Sequence, residues 1–117
     1  MVFLGGGLGS LLRYGISVYW PTSNVATFPW ATFWANVGAS ILLGLFVGMS
    51  LKFSMDKNSQ LFLIVGLCGG FSTFSTFSKE VFVMIEAGHF SLSLIYVLAS
   101  VLVCVGAIFV GVVFSKI

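Results

Sequence analysis

Charged side chains are scarce in this chain. Five lysines and arginines and three acidic residues make up 7% of its 117 residues. A soluble domain normally carries about a quarter of such residues, so this composition excludes an ordinary soluble globular protein. The hydrophobic share is 59%, and the mean hydropathy is +1.16. These values are typical of a protein that is integral to a membrane.

The residues that hold metal ions or carry catalysis are also rare. The chain has one histidine, His89, and two cysteines, Cys68 and Cys104, both of which fall in apolar runs. Two isolated thiols are too few ligands for a typical metal site. The glycine clusters are not followed by the G-K-[ST] of a phosphate-binding loop. We therefore expect no enzyme, and the net charge of +2 is too small to indicate a nucleic-acid partner.

Apolar runs of about 18 residues or more indicate membrane-spanning helices. Four runs fit, at residues 2–18, 30–51, 60–85 and 92–114. The first run has no basic start and no convincing cleavage site, so we expect a retained helix rather than a signal peptide. The connections are short, and residues 1–117 are expected to form a single four-helix transmembrane domain.

Polar residues lie at depth in these runs. A charged side chain near the bilayer centre costs about 2.5–3.5 kcal/mol even on lenient scales, so it should face a partner, water or another polar group. One small bundle has little interior for all of them, which predicts an oligomer with polar residues at its interface. The residues concerned are Arg13, Thr32, Asn36, Ser40, Lys79, Glu80, Tyr96 and Ser100.

Small residues recur four apart, a spacing that favours close helix packing in lipid. The pairs are Gly5 with Gly9, Gly44 with Gly48, and Gly66 with Gly70. We interpret all three as ordinary helix contacts.

The stretch GGFSTFSTFSKE at residues 69–80 is unusual for a membrane span. Adjacent glycines lower helix propensity, and Ser and Thr side chains can bond backbone groups that a break sets free. The third span is therefore predicted to be interrupted near residues 69–73. Irregular backbone at membrane depth is tolerated where it is buried in protein or lines a cavity, which points to an ion site.

The residue types near this stretch suit an anion. Hydroxyl and amide groups donate hydrogen bonds, and phenylalanine rings carry a positive edge. A fixed cation at the narrowest point would hold an anion too tightly, whereas conduction needs weak binding at several sites. Tyr96, Ser100 and Cys104 are spaced by four, so they share one face of the last helix. The alternative, that the hydroxyls only join helices and the rings only pack, stays open on spacing alone.

Three motifs resemble those of the CrcB/Fluc family of fluoride channels, over essentially the whole chain. They are GGGLGSLLRY at 5–14, TFWANVGASILLG at 32–44 and GLCGGFSTFSTFSKE at 66–80. The resemblance implies an all-α membrane protein whose subunits have four transmembrane helices, with the third broken in mid-membrane. It implies an antiparallel, inverted dimer with two fluoride pores at its interface, and passive export of toxic fluoride from the cytoplasm of a bacterial cell.

The family's functional residues map onto this sequence position by position. The resemblance implies a central sodium ion held by the backbone carbonyls of Gly69 and Ser72. Cys104 stands where family members often have hydroxyls, which predicts a shorter polar track. The implied fluoride-pore residues are Asn36, Phe74, Ser75, Thr76, Phe77, Tyr96 and Ser100. Arg13 and Glu80 are implied near the vestibule or the ion path, and two roles stay open for Arg13, to attract anions at a vestibule or to anchor the dimer.

Other interpretations remain at this point. A small multidrug-type cation exporter has a similar length, but its first span needs a carboxylate and this one carries Arg13. A non-conducting scaffold subunit is a third possibility.

The lysines Lys52, Lys57 and Lys116 would share one side of the membrane, which favours one orientation of the chain. The second subunit is therefore either the same chain inverted or an inverted paralogue, and membrane lipid surrounds both.

Overall fold

The computed structural model describes residues 1–21 and 26–117, and all regular structure in these two stretches is helical. Three consecutive helical elements follow one another without a gap and form one run over residues 57–71. The elements are α1 (Val2–Tyr19), α2 (Trp30–Phe53), α3 (Lys57–Gln60), a π-helix (Leu61–Cys68), α4 (Gly69–Phe71), α5 (Phe74–Glu86) and α6 (Phe90–Ser115).

Three helical stretches of the described chain are long and apolar enough to cross a membrane. They are Trp30–Phe53, Lys57–Glu86 and Phe90–Ser115. Helix α1 is not among them, because five glycines and Arg13 lower its hydropathy. The observed helices extend by up to three residues beyond the runs expected from the sequence, and residues 57–86 are divided between two segments.

Helices α2 and α6 pack closely through glycine. A Cβ atom added at Gly44 would collide with the carbonyl oxygen of Ile108, and one added at Gly111 would collide with that of Ile41. A Cβ at Gly48 would strike the Ser115 hydroxyl. The two backbones can therefore approach only because these positions carry no side chain.

Helix α1 packs in the same way against the π-helix and α4. A Cβ at Gly5 would meet the Phe62 carbonyl oxygen, and one at Gly70 would meet that of Gly6. A Cβ at Gly9 would meet the Leu67 carbonyl oxygen, and one at Gly66 would come within 2.9 Å of the Val2 carbonyl oxygen. The three glycine pairs predicted from spacing are thus confirmed as helix contacts.

An apolar core joins α2, α5 and α6 close to residues 72–73, which separate the helical run over residues 57–71 from α5. Its buried members include Phe33, Val37, Met84 and Tyr96. The Phe28 ring meets the Tyr96 ring edge-on, with centroids 5.2 Å apart. This core fixes α5 against α6 and so holds the rings of α5 at a defined place.

Candidate functional site at the interrupted helix

The helical run that begins at residue 57 stops at two residues with extended backbone. Ser72 has φ −78° and ψ 157°, and Thr73 has φ −149° and ψ 115°. Thr73 is the N-cap of α5, where its hydroxyl accepts a hydrogen bond from the Thr76 amide at 3.2 Å. The interruption therefore lies within the interval 69–73 that the sequence indicated.

Asn36 of α2 holds the interruption from the side. Its Oδ1 accepts from the Thr73 amide at 2.7 Å, and its Nδ2 donates to the Thr73 carbonyl oxygen at 3.3 Å. The Asn36 Oδ1 atom thus takes the place of the Gly69 carbonyl oxygen, with which the Thr73 amide would pair in a continuous helix, and Nδ2 gives the Thr73 carbonyl oxygen an additional donor. Asn36 is both a lining residue and a brace for the irregular backbone.

Arg13 of α1 supplies a second brace. Its Nε donates to the Gly70 carbonyl oxygen at 3.2 Å. In a continuous α-helix that oxygen would accept from the amide of residue 74, which here begins a new helix. The only charged side chain of α1 is therefore engaged at the interruption.

Two further carbonyls lose their regular helical donors at this point. A continuous helix would pair the Gly69 oxygen with the Thr73 amide and the Ser72 oxygen with the Thr76 amide. The Thr73 amide donates to Asn36 instead, and the Thr76 amide donates to the Thr73 hydroxyl. Gly69 and Ser72 also border a common cavity of about 160 Å³.

A larger cavity of about 290 Å³ opens where α2, α5 and α6 meet the interruption. It combines hydroxyl, amide and thiol groups with two phenylalanine rings, and its lining includes no charged side chain. The ring centroids of Phe74 and Phe77 are 5.8 Å apart. The lining residues are Asn36, Ser40, Ser72, Thr73, Phe74, Phe77, Ser100, Val101 and Cys104.

The Ser100 side chain lines this cavity and is buried without a hydrogen-bond partner in the described residues. The residue is only 5% exposed, and its Oγ makes no hydrogen bond to any part of the chain that the structure describes. A buried hydroxyl without a partner is costly, so such a group points to a ligand or water that completes it.

Tyr96 lies outside this cavity, although it shares a helix face with Ser100. It is fully buried, and its hydroxyl donates to Glu80 Oε2 at 3.4 Å. The Thr32 hydroxyl donates to the other oxygen of Glu80. The Tyr96 ring packs on Phe77 at a centroid distance of 5.0 Å, so this polar cluster adjoins the cavity through one aromatic ring.

Ser75 and Thr76 occupy the first turn of α5 and are not among the residues that line the cavity. Ser75 is exposed, and its hydroxyl lies 3.5 Å from that of Thr73. The structure therefore brings together Asn36, Phe74, Phe77 and Ser100 of the predicted pore residues. It places Ser75, Thr76 and Tyr96 beside that group.

Sequence reasoning did not single out Thr73 as a site residue. Its hydroxyl caps α5, its backbone bonds Asn36, and it lines the cavity. The signal was present, because Thr is a favoured N-cap residue whose hydroxyl can accept a hydrogen bond from the backbone amide three positions later, here that of Thr76. No group of three or more metal-ligating His, Cys, Asp or Glu side chains occurs in the described ranges.

Comparison with known proteins identifies the family. The family model described as CrcB-like protein, Camphor Resistance (CrcB) matches residues 1–112. A fluoride-specific ion channel FluC of Nitrobacter winogradskyi is 39% identical over 112 residues, which cover 95% of this chain and 89% of that protein.

Two more relatives carry the same name. The one from Phocaeicola vulgatus is 35% identical over 116 residues, covering 99% of this chain and 96% of the relative. The one from Thermus thermophilus is 40% identical over 111 residues, covering 95% and 87%. The match extends over nearly the full length of both partners in each comparison, and this chain belongs to the CrcB family.

Proposed function

We propose that this protein is a passive, fluoride-selective channel in a bacterial cell membrane. The observation that carries the proposal is the cavity at the interruption, where donors without charge meet two phenylalanine rings. The names of the relatives, fluoride-specific ion channels, agree with this chemistry. Members of such a family are channels and not enzymes, and the apolar helices make the chain a multi-pass membrane protein.

The lining suits a small anion that must be bound and released quickly. The Ser100 hydroxyl has a proton to donate, and Asn36 has a second N–H besides the one that reaches Thr73. The edges of Phe74 and Phe77 offer weak positive potential. Because no cation lines the cavity, the anion is stabilised without being trapped, as conduction requires.

The pore is completed by a second subunit in the inverted orientation. Phe74 is 79% exposed although it lines the cavity, and Lys79 on the same helix is exposed as well. The cavity is therefore open on the side of the Phe74 ring, where a partner chain can complete it, and an exposed lysine on a membrane helix is best accommodated against a partner or water. The partner is either the same chain or an inverted paralogue.

In this dimer α1 acts as the fourth span, and the interruption of residues 57–86 lies at membrane depth. Irregular backbone is tolerated there because it is buried in protein and lines a cavity. The glycine contacts of α1 with the π-helix and the bond from Arg13 to Gly70 anchor that helix in the bundle. This contact supports an anchoring role for Arg13 rather than a free vestibule charge.

A structural sodium ion at the dimer centre fits the backbone of the interruption. The carbonyls of Gly69 and Ser72 have lost their helical donors and border one cavity. Unwound backbone carbonyls are the groups that coordinate sodium in other broken membrane helices. When bound, the ion would supply a fixed positive charge between the two pores.

The polar cluster of Glu80, Tyr96 and Thr32 lies along the proposed path next to the ring of Phe77. Glu80 is held by two hydroxyl donors, so its carboxyl group is fixed relative to the rings. Export needs no ATP, since the membrane potential is worth about 2.3 kcal/mol per elementary charge per 100 mV. A negative interior therefore drives fluoride out through a passive pore.

The test is efflux from liposomes that contain only this purified chain, read with fluoride and chloride electrodes. We expect rapid fluoride release with negligible chloride release, and no release from empty liposomes. Release of both ions at equal rates would overturn selectivity. If folded protein releases no fluoride, the assay is repeated with an inverted paralogue, and failure of that pair would overturn the channel function.

A further inference from the structure

Cys104 is the one lining residue of the large cavity that can form a covalent bond under mild conditions. It is half-buried and lies one helical turn after Ser100 on α6. The other cysteine of the chain, Cys68, is only 4% exposed and borders the smaller cavity with Gly69 and Ser72. The two thiols therefore provide a comparison within one molecule.

A second observation indicates that the large cavity accepts a ligand beside this thiol. The Ser100 Oγ is buried, lines the cavity and lacks a hydrogen-bond partner in the described chain. The rest of the lining combines apolar groups, such as Val101 and the ring of Phe77, with the hydroxyl and amide groups of residues such as Asn36 and Thr73. A small, neutral molecule with acceptor oxygens and a short apolar body matches this combination of groups.

We propose that Cys104 is a covalent modification site for small alkyl thiosulfonates, and that its modification obstructs ion flow. This inference rests on the proposed function, because the obstructed path is the proposed fluoride pore. The chemical step is a thiol exchange. The Cys104 sulfur attacks the sulfenyl sulfur of methyl methanethiosulfonate, a disulfide forms, the S–SO₂ bond breaks, and methanesulfinate leaves with the proton of the thiol.

The product carries a methylthio group in a cavity of about 290 Å³ that Phe74, Phe77 and Ser100 also line. The added sulfur and carbon take up space beside the rings. They also replace the weak S–H donor of Cys104 with a group that cannot donate. Both effects oppose the passage of an anion that depends on donors and on an open path.

The position of the two thiols predicts which one reacts. Thiol reactivity depends on access as well as on the thiolate fraction. Cys104 opens onto the larger cavity, whereas Cys68 is nearly enclosed. We therefore expect the reagent to label Cys104 first.

The experiment treats reconstituted protein with methyl methanethiosulfonate and reads two signals. Mass spectrometry of peptides reports which cysteine gains the methylthio group, and electrodes report fluoride efflux. We expect labelling of Cys104 and a fall in efflux of at least about tenfold, which corresponds to a barrier higher by about 1.4 kcal/mol. Dithiothreitol should remove the label and restore the original rate.

Two variants complete the design. C68S should keep the block, and C104S should be insensitive to the reagent. Unlabelled Cys104, preferential labelling of Cys68, or full labelling without a fall in efflux would each overturn the inference. If untreated protein conducts no fluoride either alone or with an inverted paralogue, the proposed function fails, and the mass signal alone then decides whether Cys104 is the preferred site.

Discussion

Helix α6 and the interrupted run over residues 57–86 have similar lengths but satisfy their backbone differently. Helix α6 continues without a break from Phe90 to Ser115. The other run stops at Ser72 and Thr73, where side chains of α1 and α2 replace helical hydrogen bonds. The difference shows how this chain uses its few polar residues, since Arg13 and Asn36 both serve to complete a helix that is not their own.

The two helices nevertheless share one packing device. Each is held by a glycine crossing, α6 against α2 and the π-helix with α4 against α1. Close backbone contact therefore does not by itself produce an interruption. At the interruption, polar side chains of α1 and α2 also bond amide and carbonyl groups of residues 70–73.

Removing the support from Asn36 should have the largest effect. In Asn36→Asp the carboxylate cannot donate to the Thr73 carbonyl oxygen, and its charge repels an anion in the cavity. We expect fluoride efflux to fall by roughly a hundredfold, as a barrier increase of about 2.7 kcal/mol would produce. Liposome efflux measures the rate, and size-exclusion chromatography checks that the assembly is intact.

Asn58→Asp is the matched control for this change. Asn58 lies exposed on α3, at the start of the same helical run. Its substitution should leave efflux unchanged. An Asn36→Asp protein that conducts at the original rate would refute the role assigned to this amide.

Replacing the ring of Phe77 should have the next largest effect, because this ring of α5 lines the cavity and contacts Tyr96 of α6. Phe77→Ile keeps apolar volume but removes the ring edge and the contact with Tyr96 at 5.0 Å. We expect efflux to fall about tenfold, equivalent to about 1.4 kcal/mol in the barrier. Phe82→Ile, at a 63% exposed position of α5, is the control. Equal rates in both variants would argue against a ring at the ion path.

The location of the interruption could be predicted because one of its signals is local. Two glycines precede closely spaced hydroxyls, and this pattern indicated residues 69–73. Its supports could not be predicted, since Asn36 is 37 residues from Thr73 and Arg13 is 57 residues from Gly70. The π-helical winding over Leu61–Cys68 also has no signal in the sequence.

The face of α6 was predicted only in part. Spacing by four correctly aligned Tyr96 with Ser100, but their side chains have different surroundings. Ser100 lines the cavity, whereas the Tyr96 hydroxyl bonds Glu80. A periodicity identifies a common face, but the depth of each side chain depends on the tertiary packing of α5 and Phe28 around it.

The two glycine crossings should respond alike in stability and differently in transport. In Gly9→Ala the new Cβ meets the Leu67 carbonyl oxygen and the Phe71 amide, and in Gly44→Ala it meets the Ile108 carbonyl oxygen. Overpacking of this kind typically lowers the free energy of unfolding by about 1–3 kcal/mol. Only Gly9→Ala should also slow efflux, because its crossing adjoins the interruption.

Circular dichroism during heating in detergent measures the stability of these variants. Gly7→Ala and Gly106→Ala are the controls, since a Cβ at either position meets nothing within 4 Å. Their stability should be unchanged or raised, given the helix propensity of alanine. Equal slowing of efflux by Gly9→Ala and Gly44→Ala would contradict the distinction between the two crossings.

The smallest effect is expected at Asp56, the N-cap of α3. Its carboxylate accepts from the Ser59 hydroxyl at 2.6 Å and the Ser59 amide at 3.1 Å. The Ser59 hydroxyl, followed by the Ser59 amide, lowers the pKa of Asp56 below its ordinary value of 3.8. The stabilising contribution is therefore present above that value and is lost as pH falls through the lowered pKa.

Asp56→Ala should accordingly lower the melting temperature slightly at neutral pH, and the difference from the parent protein should vanish in strong acid. Glu86→Ala, an exposed acidic position at the end of α5, controls for a general effect of charge. A difference that stays constant down to the lowest pH would contradict the linkage to this carboxyl group.

The supports of the interruption share one further property, which is their order along the chain. Arg13 and Asn36 both precede their partners Gly70 and Thr73. During synthesis α1 and α2 therefore emerge from the ribosome before the segment whose free backbone groups they bond. We expect the interrupted segment to enter the bilayer after the helices that carry Arg13 and Asn36. Its free amide and carbonyl groups can then bond these side chains and need not face lipid.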